Sequence, residues 1–122
     1  MTPFGRAVRD LRQARGISQK KMAADLGVSA AYLSALEHGR RSAPSFEFLQ
    51  RVAGYFNIIW DEADALFRMG RLSDPRTTLD TAGLDPATTE FANRLAEEIR
   101  HLDAAAIAAM REIVEKSAKK RR

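Results

Sequence analysis

The run SQKKMAADLGVSAAYLSAL at 18–36 constrains the fold of this chain more than any other stretch. Its apolar side chains fall into two short groups at helical spacing, Met22, Ala23 and Leu26 before Gly27, then Leu33 and Leu36 after it. Ser18 and Ser29 stand just ahead of the two groups, where a hydroxyl can cap a helix N-terminus, and Gly27 tolerates the positive φ at which the first helix stops. Two helices so short and so closely joined must cross tightly. The crossing requires a small side chain at Ala23, a turn residue at Gly27, and apolar anchors at Leu26, Val28, Leu33 and Leu36.

Further helices follow from the same periodicity. Phe4, Ala7, Val8 and Leu11 recur at i, i+3, i+4 and i+7 with Gly16 as a stop, which predicts a helix over about 3–15. The third helix, capped by Ser29, is closed by Gly39 and the Arg40-Arg41 pair. A fourth begins near Ser45 with Leu49, Val52, Ala53 and Phe56 inward, and a fifth from about Trp60 is expected to bury Trp60, Ala63, Leu66 and Phe67. That fifth helix has Ile59 where a cap belongs, although Asp61 and Glu62 suit the positive end of its dipole. Residues 70–85 contain Ser73-Asp74-Pro75, Gly83 and Asp85-Pro86 and lose the 3.6-residue period, so they read as a connecting segment. Within it, Arg76 to Thr81 has enough β-branched residues to lie extended and to pair as a short strand. Two amphipathic helices then carry Phe91, Leu95, Ile99 and Leu102, and, beyond a cap at Asp103, Ile107, Met110, Ile113 and Val114.

Composition narrows the class. A chain of 122 residues, 45% hydrophobic and 30% charged, suits one globular domain plus an appendage. With no cysteine and only His38 and His101 as imidazoles, it has neither a disulfide framework nor the ligands for structural zinc, and no metal site is expected. No apolar run approaches the ~20 residues that span a bilayer, and MTPFGRAVRD lacks a signal-like stretch, so a cytoplasmic location without membrane contact is expected. Charge is uneven, at +5 over 1–44, −3 over 45–85 and +2 over 86–122. Arginine outnumbers lysine fifteen to five, which favours a polyanionic partner because guanidinium binds phosphate oxygens bidentately. The acids are scattered over helix surfaces, no Gly-rich phosphate loop exists, and no nucleophile-base pair can be assembled. Neither an enzyme nor a cofactor is expected.

The pattern SQ-x3-A-x3-GVS-x3-LS-x-LE-x-GRR, with its surroundings from Phe4 to Phe67, resembles the helix-turn-helix of the Xre/phage-repressor/Cro superfamily. The resemblance implies a five-helix phage-repressor-like helix-turn-helix domain over 1–69; the residue pattern beyond it adds the 70–85 connection and a C-terminal helical hairpin over 86–122, so an all-α fold is expected. It also implies double-stranded DNA as partner. Gln19 inherits a phosphate contact from the N-terminus of the second helix, with Lys20 and Lys21 reaching the adjacent backbone. The third helix becomes the recognition helix, offering Ser29, Ala30, Ala31, Tyr32, Ser34 and Ala35 to the major groove. Relatives often place Gln, Arg, Lys or Asn where Ala30, Ala31 and Ala35 stand, so direct base readout is expected to be thin and to rest on the hydroxyls, Tyr32, thymine methyls or DNA shape. The competing reading is that this face meets protein.

Arg40 and Arg41 look like phosphate clamps, their alternative being cations that offset a helix C-terminus. His38 reads either as a donor to a phosphate or as an exposed polar residue at a helix end. Arg12 and Glu37 match an ion pair that holds the family's scaffold. Trp60 is expected in the core.

Single helix-turn-helix modules read few base pairs, so two related by a two-fold axis are expected, addressing half-sites ~34 Å apart. The C-terminal helices, through Phe91, Leu95, Ile99, Leu102, Ile107, Met110, Ile113 and Val114, are the expected homodimer interface. Their alternative use is to hold a second protein, as in an antitoxin or adaptor that autoregulates its operon. The first expectation is a transcriptional repressor acting as a homodimer.

Overall fold

A computed structural model describes residues 1–121, and its first 77 residues are built the way the capping signals require. Helix α1 spans Pro3–Ala14, with Thr2 Oγ1 accepting from the Gly5 amide at 3.0 Å and Pro3 at its first position. Helix α2, Gln19–Leu26, is capped by Ser18, whose Oγ accepts from the Lys21 amide, and it ends on Gly27 at φ 72°. Ser29 and Ser45 cap α3, Ala30–Glu37, and α4, Phe46–Tyr55, in the same manner. Each cap satisfies an amide that the helix itself leaves unpaired, worth roughly 1 kcal/mol. Helix α5, Trp60–Arg71, has no side-chain cap at Ile59, and Asp61 and Glu62 in its first turn face the dipole instead.

The chain divides into two compact units, Met1–Thr77 and Thr78–Arg122. The first is a five-helix domain around one core. Phe4 and Val8 from α1, Met22, Ala23 and Leu26 from α2, and Leu33 and Leu36 from α3 meet Phe48, Leu49, Val52, Phe56, Ile58 and Leu66. Side chains of this kind each stabilise by roughly 1.5–3 kcal/mol when fully buried. Gly5 lets α1 approach the end of α3, since a Cβ there would lie 2.2 Å from the Glu37 carbonyl oxygen. The domain closes beyond α5, where the buried Ser73 hydroxyl accepts from the Phe4 amide at 2.9 Å and donates to the Met69 carbonyl at 2.5 Å.

Two expectations from sequence are corrected. Trp60 lies outside the core, 81% exposed. The chain reaches α5 through Asn57 and Trp60, both at positive φ, 57° and 54°. With Trp60 in the left-handed region its side chain leaves the stripe that Ala63, Leu66 and Phe67 continue, and Leu66 alone of those three is fully buried. The 76–81 segment forms no strand. No neighbouring strand exists among the described residues to satisfy its amides, and β-branching without a partner makes only extended chain.

The second unit holds α6, Pro86–Glu98, capped by the Asp85 carboxylate, a 3₁₀ turn at Ile99–His101, and α7, Ala104–Lys120, capped by Asp103. Neither helix buries a residue. Phe91, Ile99, Ile107, Ile113 and Val114 all remain exposed.

Candidate nucleic-acid interface

Helix α3 is a rod of small side chains at its N-terminal end. Ser29, Ala30 and Ala31 are exposed, and Tyr32, Ser34 and Ala35 are half-buried. The serine that starts the rod is committed to structure, because Ser29 Oγ accepts from the Tyr32 amide at 3.0 Å. At the other end, His38 Nδ1 donates to the Ser34 carbonyl at 2.8 Å, which satisfies one of the helix's terminal acceptors. Nε2 of that ring remains for an outside partner.

Tyr32 is held more firmly than an exposed reading residue would be. Its ring meets Phe48 edge-on at 5.8 Å between centroids, and the Arg41 guanidinium carbon lies 5.3 Å from its centroid. Arg40 is exposed, as are Lys20 and Lys21, and Gln19 is half-buried in the first turn of α2. Among the described residues Lys20, Arg40 and Arg41 form no ion pair. Lys21 does, to Asp25 at 3.1 Å across one helical turn. The Tyr55 phenol donates to the same carboxylate at 2.7 Å. This bond, with the Lys21 bond and charge behind it, holds the Asp25 carboxyl below its ordinary value. In return the bond to Asp25 pushes the Tyr55 hydroxyl up.

The structure brings together the two residues expected as a scaffold pair. Arg12 Nη2 meets Glu37 Oε1 at 3.1 Å, with side chains only 11% and 2% exposed. Arg12 also donates through Nη1 to the Ile17 carbonyl at 3.2 Å. Further along α1, Arg15 donates to the Leu11 and Phe56 carbonyls, both at 3.3 Å, and its guanidinium carbon lies 5.2 Å from the Phe56 ring centroid. The arginine row of α1 is thus split. Arg12 and Arg15 tie helices together, while Arg6 and Arg9 point to solvent.

Sequence reasoning missed Arg51 of α4. Its guanidinium donates to the Leu26 carbonyl at the end of α2 and lies 5.9 Å from the Phe48 ring centroid. No local pattern announces that contact, because its partner is 25 residues away. Among the described residues no group of three or more His, Cys, Asp or Glu is placed to hold a metal ion, and no helix is long and apolar enough to cross a membrane.

A tight α2–α3 crossing, an outward α3 of small side chains, and unpaired cations at Lys20 and Arg40 are the geometry of an Xre/Cro-type helix-turn-helix domain. Residues 8–61 match the helix-turn-helix family. Among curated proteins, the chain is 31% identical over 61 residues to the uncharacterized HTH-type transcriptional regulator RghRB of Bacillus subtilis, covering 50% of this chain and 44% of that protein. It is 37% identical over 55 residues to the HTH-type transcriptional regulator SlrR of the same organism, covering 45% of this chain and 36% of SlrR. The corresponding figures for the regulator SinR of that organism are 30% over 55 residues, with 45% of this chain and 50% of SinR covered. The chain therefore spans half or less of the length of these relatives. No solved structure matches it.

Proposed function

We propose that this chain is a sequence-specific double-stranded DNA-binding transcriptional regulator of the cytoplasm, a repressor that acts as a homodimer on a pseudo-palindromic operator. The observation that carries the reading is the exposed N-terminal face of α3, with Ser29, Ala30 and Ala31 open to solvent. A rod clad in small side chains enters a major groove closely, and the neighbouring cations Lys20 and Arg40 supply phosphate contacts that fix its register. The regulator names of the relatives support the same reading.

The homodimer rests on α6 and α7. Apolar side chains on helices that bury nothing by themselves require a partner surface, and a second copy supplies one that is self-complementary about a two-fold axis. Phe91, Leu95, Ile99, Leu102, Ile107, Met110, Ile113 and Val114 form that interface. The exposed members of that set, Phe91, Ile99, Ile107, Ile113 and Val114, are the observation behind a second reading, an antitoxin or adaptor holding a different protein there. A small protein co-purifying at fixed ratio favours the second reading, and a clean homodimer in light scattering favours the first.

Selection of bound fragments from random duplex DNA tests the proposal. Inverted half-sites about one helical turn apart, ~34 Å, are expected in the enriched pool. Binding to the selected site should weaken linearly in log salt with a slope of about −0.9 per phosphate neutralised. A pool with no enriched sequence, or binding indifferent to salt, overturns the reading.

A further inference from the structure

Arg40 and Arg41 follow the recognition helix as twin cations, and only Arg41 is engaged by an aromatic ring of the domain. Its guanidinium carbon sits 5.3 Å from the Tyr32 ring centroid. Phe48, buried on α4, meets that ring edge-on with planes at 90°. Phe48 is itself braced by Arg51, whose guanidinium carbon lies 5.9 Å from its ring centroid and which donates to the Leu26 carbonyl. Tyr32 is thus held by a group from the loop after α3 and by a group from α4. A ring with two side-chain torsions and two such neighbours has little freedom left, so its place on α3 is fixed.

That matters because the rest of the face is poor in chemistry. Ala30, Ala31 and Ala35 have no hydrogen-bonding side-chain groups. Ser29 Oγ is occupied as a cap, and Ser34 lies beside His38. Tyr32 is the side chain on this helix best equipped to donate to or accept from a base edge, and its aim is worth fixing. A guanidinium laid on its ring gives up the freedom a phosphate clamp needs, whereas Arg40 has no such engagement.

We infer, resting on the reading of α3 as a DNA-reading helix, that Arg41 is a positioning residue: it sets sequence preference by fixing the Tyr32 ring, and Arg40 carries the phosphate contact. The two roles respond to different measurements. A phosphate contact changes affinity for all sequences and the salt slope, and a positioning contact changes discrimination.

The test is fluorescence anisotropy of the full chain on its selected duplex and on a scrambled duplex across a salt series. Arg41→Lys keeps the charge and removes the planar group. It should lower the ratio of the two affinities about twofold to fivefold, the scale of an exposed cation–π contact, with an unchanged slope. Arg40→Ala should flatten the slope by about 0.9 per subunit, about 1.8 for the bound dimer, and leave the ratio alone. In a Tyr32→Leu background, Arg41→Lys should cause no further loss of discrimination. The stack is also visible without DNA, as an upfield ring-current shift of the Arg41 side-chain protons that disappears in Tyr32→Leu. An Arg41→Lys variant that retains the ratio, or one that loses it equally in the Tyr32→Leu background, overturns the inference. A wild-type chain that does not discriminate between the duplexes overturns it together with the DNA reading, and the ring-current shift then shows whether the stack itself exists. If discrimination is intact but the ring-current shift is missing, the inference alone fails.

Discussion

The Arg12–Glu37 pair makes the most demanding prediction about stability. Glu37 ends α3 with its side chain 2% exposed, and Arg12, 11% exposed, is its only ion-pair partner among the described residues. Arg12→Ala removes the cation and leaves a carboxylate enclosed by α1 and α3. Breaking a buried pair from one side costs about 3–5 kcal/mol, because the charge that remains has lost both its partner and its water. The bond from Arg12 to the Ile17 carbonyl is lost as well, so the upper part of that range applies. Domains of this size have total stabilities of roughly 5–15 kcal/mol, so the variant gives up a large share. At about 4–8 °C per kcal/mol, its melting point should fall by at least ~16 °C.

The control replaces both partners. Arg12→Met with Glu37→Leu removes the charge that must be buried and refills the volume, and it should recover most of the loss or exceed the wild type. Urea titration followed by far-UV circular dichroism is the assay, with the slope of free energy against urea checked for constancy. Tryptophan emission is unsuitable because Trp60, the single tryptophan, is already 81% exposed in the folded state. A loss below ~1 kcal/mol for Arg12→Ala, the value of a solvated surface pair, refutes the reasoning. So does a double variant no more stable than the single one.

Other expectations follow from particular contacts. Gly5→Ala places a Cβ 2.2 Å from the Glu37 carbonyl oxygen, so α1 and α3 must separate, at about 1–3 kcal/mol in the same titration. Gly54→Ala, which meets nothing within 4 Å, should instead stabilise by about 0.4–1 kcal/mol. The Asp25–Tyr55 bond should stabilise only within a pH window. Asp25, lowered from 3.8, contributes above the unfolded carboxylate range, and that contribution is lost as pH falls through its folded value. Tyr55, raised from 10.0, contributes below the unfolded phenol range, and its share is lost as pH rises through its folded value. The stability difference between wild type and Tyr55→Phe should therefore be greatest between those limits and close at both ends, and a pH-independent difference contradicts the bond. Trp60→Asn should be neutral within ~0.5 kcal/mol or slightly stabilising, since asparagine accepts positive φ, whereas a core tryptophan would cost several kcal/mol on truncation.

What the sequence made legible are the features whose cause lies within a turn or two of chain. Ser18, Ser29 and Asp103 cap helices because each needs only the amides that follow it, and Gly27 stops α2 because only its own φ is at issue. Trp60 was misread for the complementary reason. A 3.6-residue stripe assumes helical φ at every position it joins, and the turn through Asn57 and Trp60 breaks that assumption at the first one. The interface was legible in its residue types and illegible in their engagements. Eight basic residues over 1–44 read as one attraction for a polyanion. In space, Arg12 is consumed by Glu37, Arg15 by a carbonyl 41 residues away, and Lys21 by a carboxylate that a tyrosine 30 residues distant also holds. Arg41 lies on Tyr32. Lys20 on α2 and Arg40 just past α3 are left with no contact inside the domain to satisfy their charge, as are Arg6 and Arg9 on α1. A charge count bounds the electrostatic footprint from above; long-range partners, which no local pattern announces, reduce it to the few cations whose removal should change the salt slope.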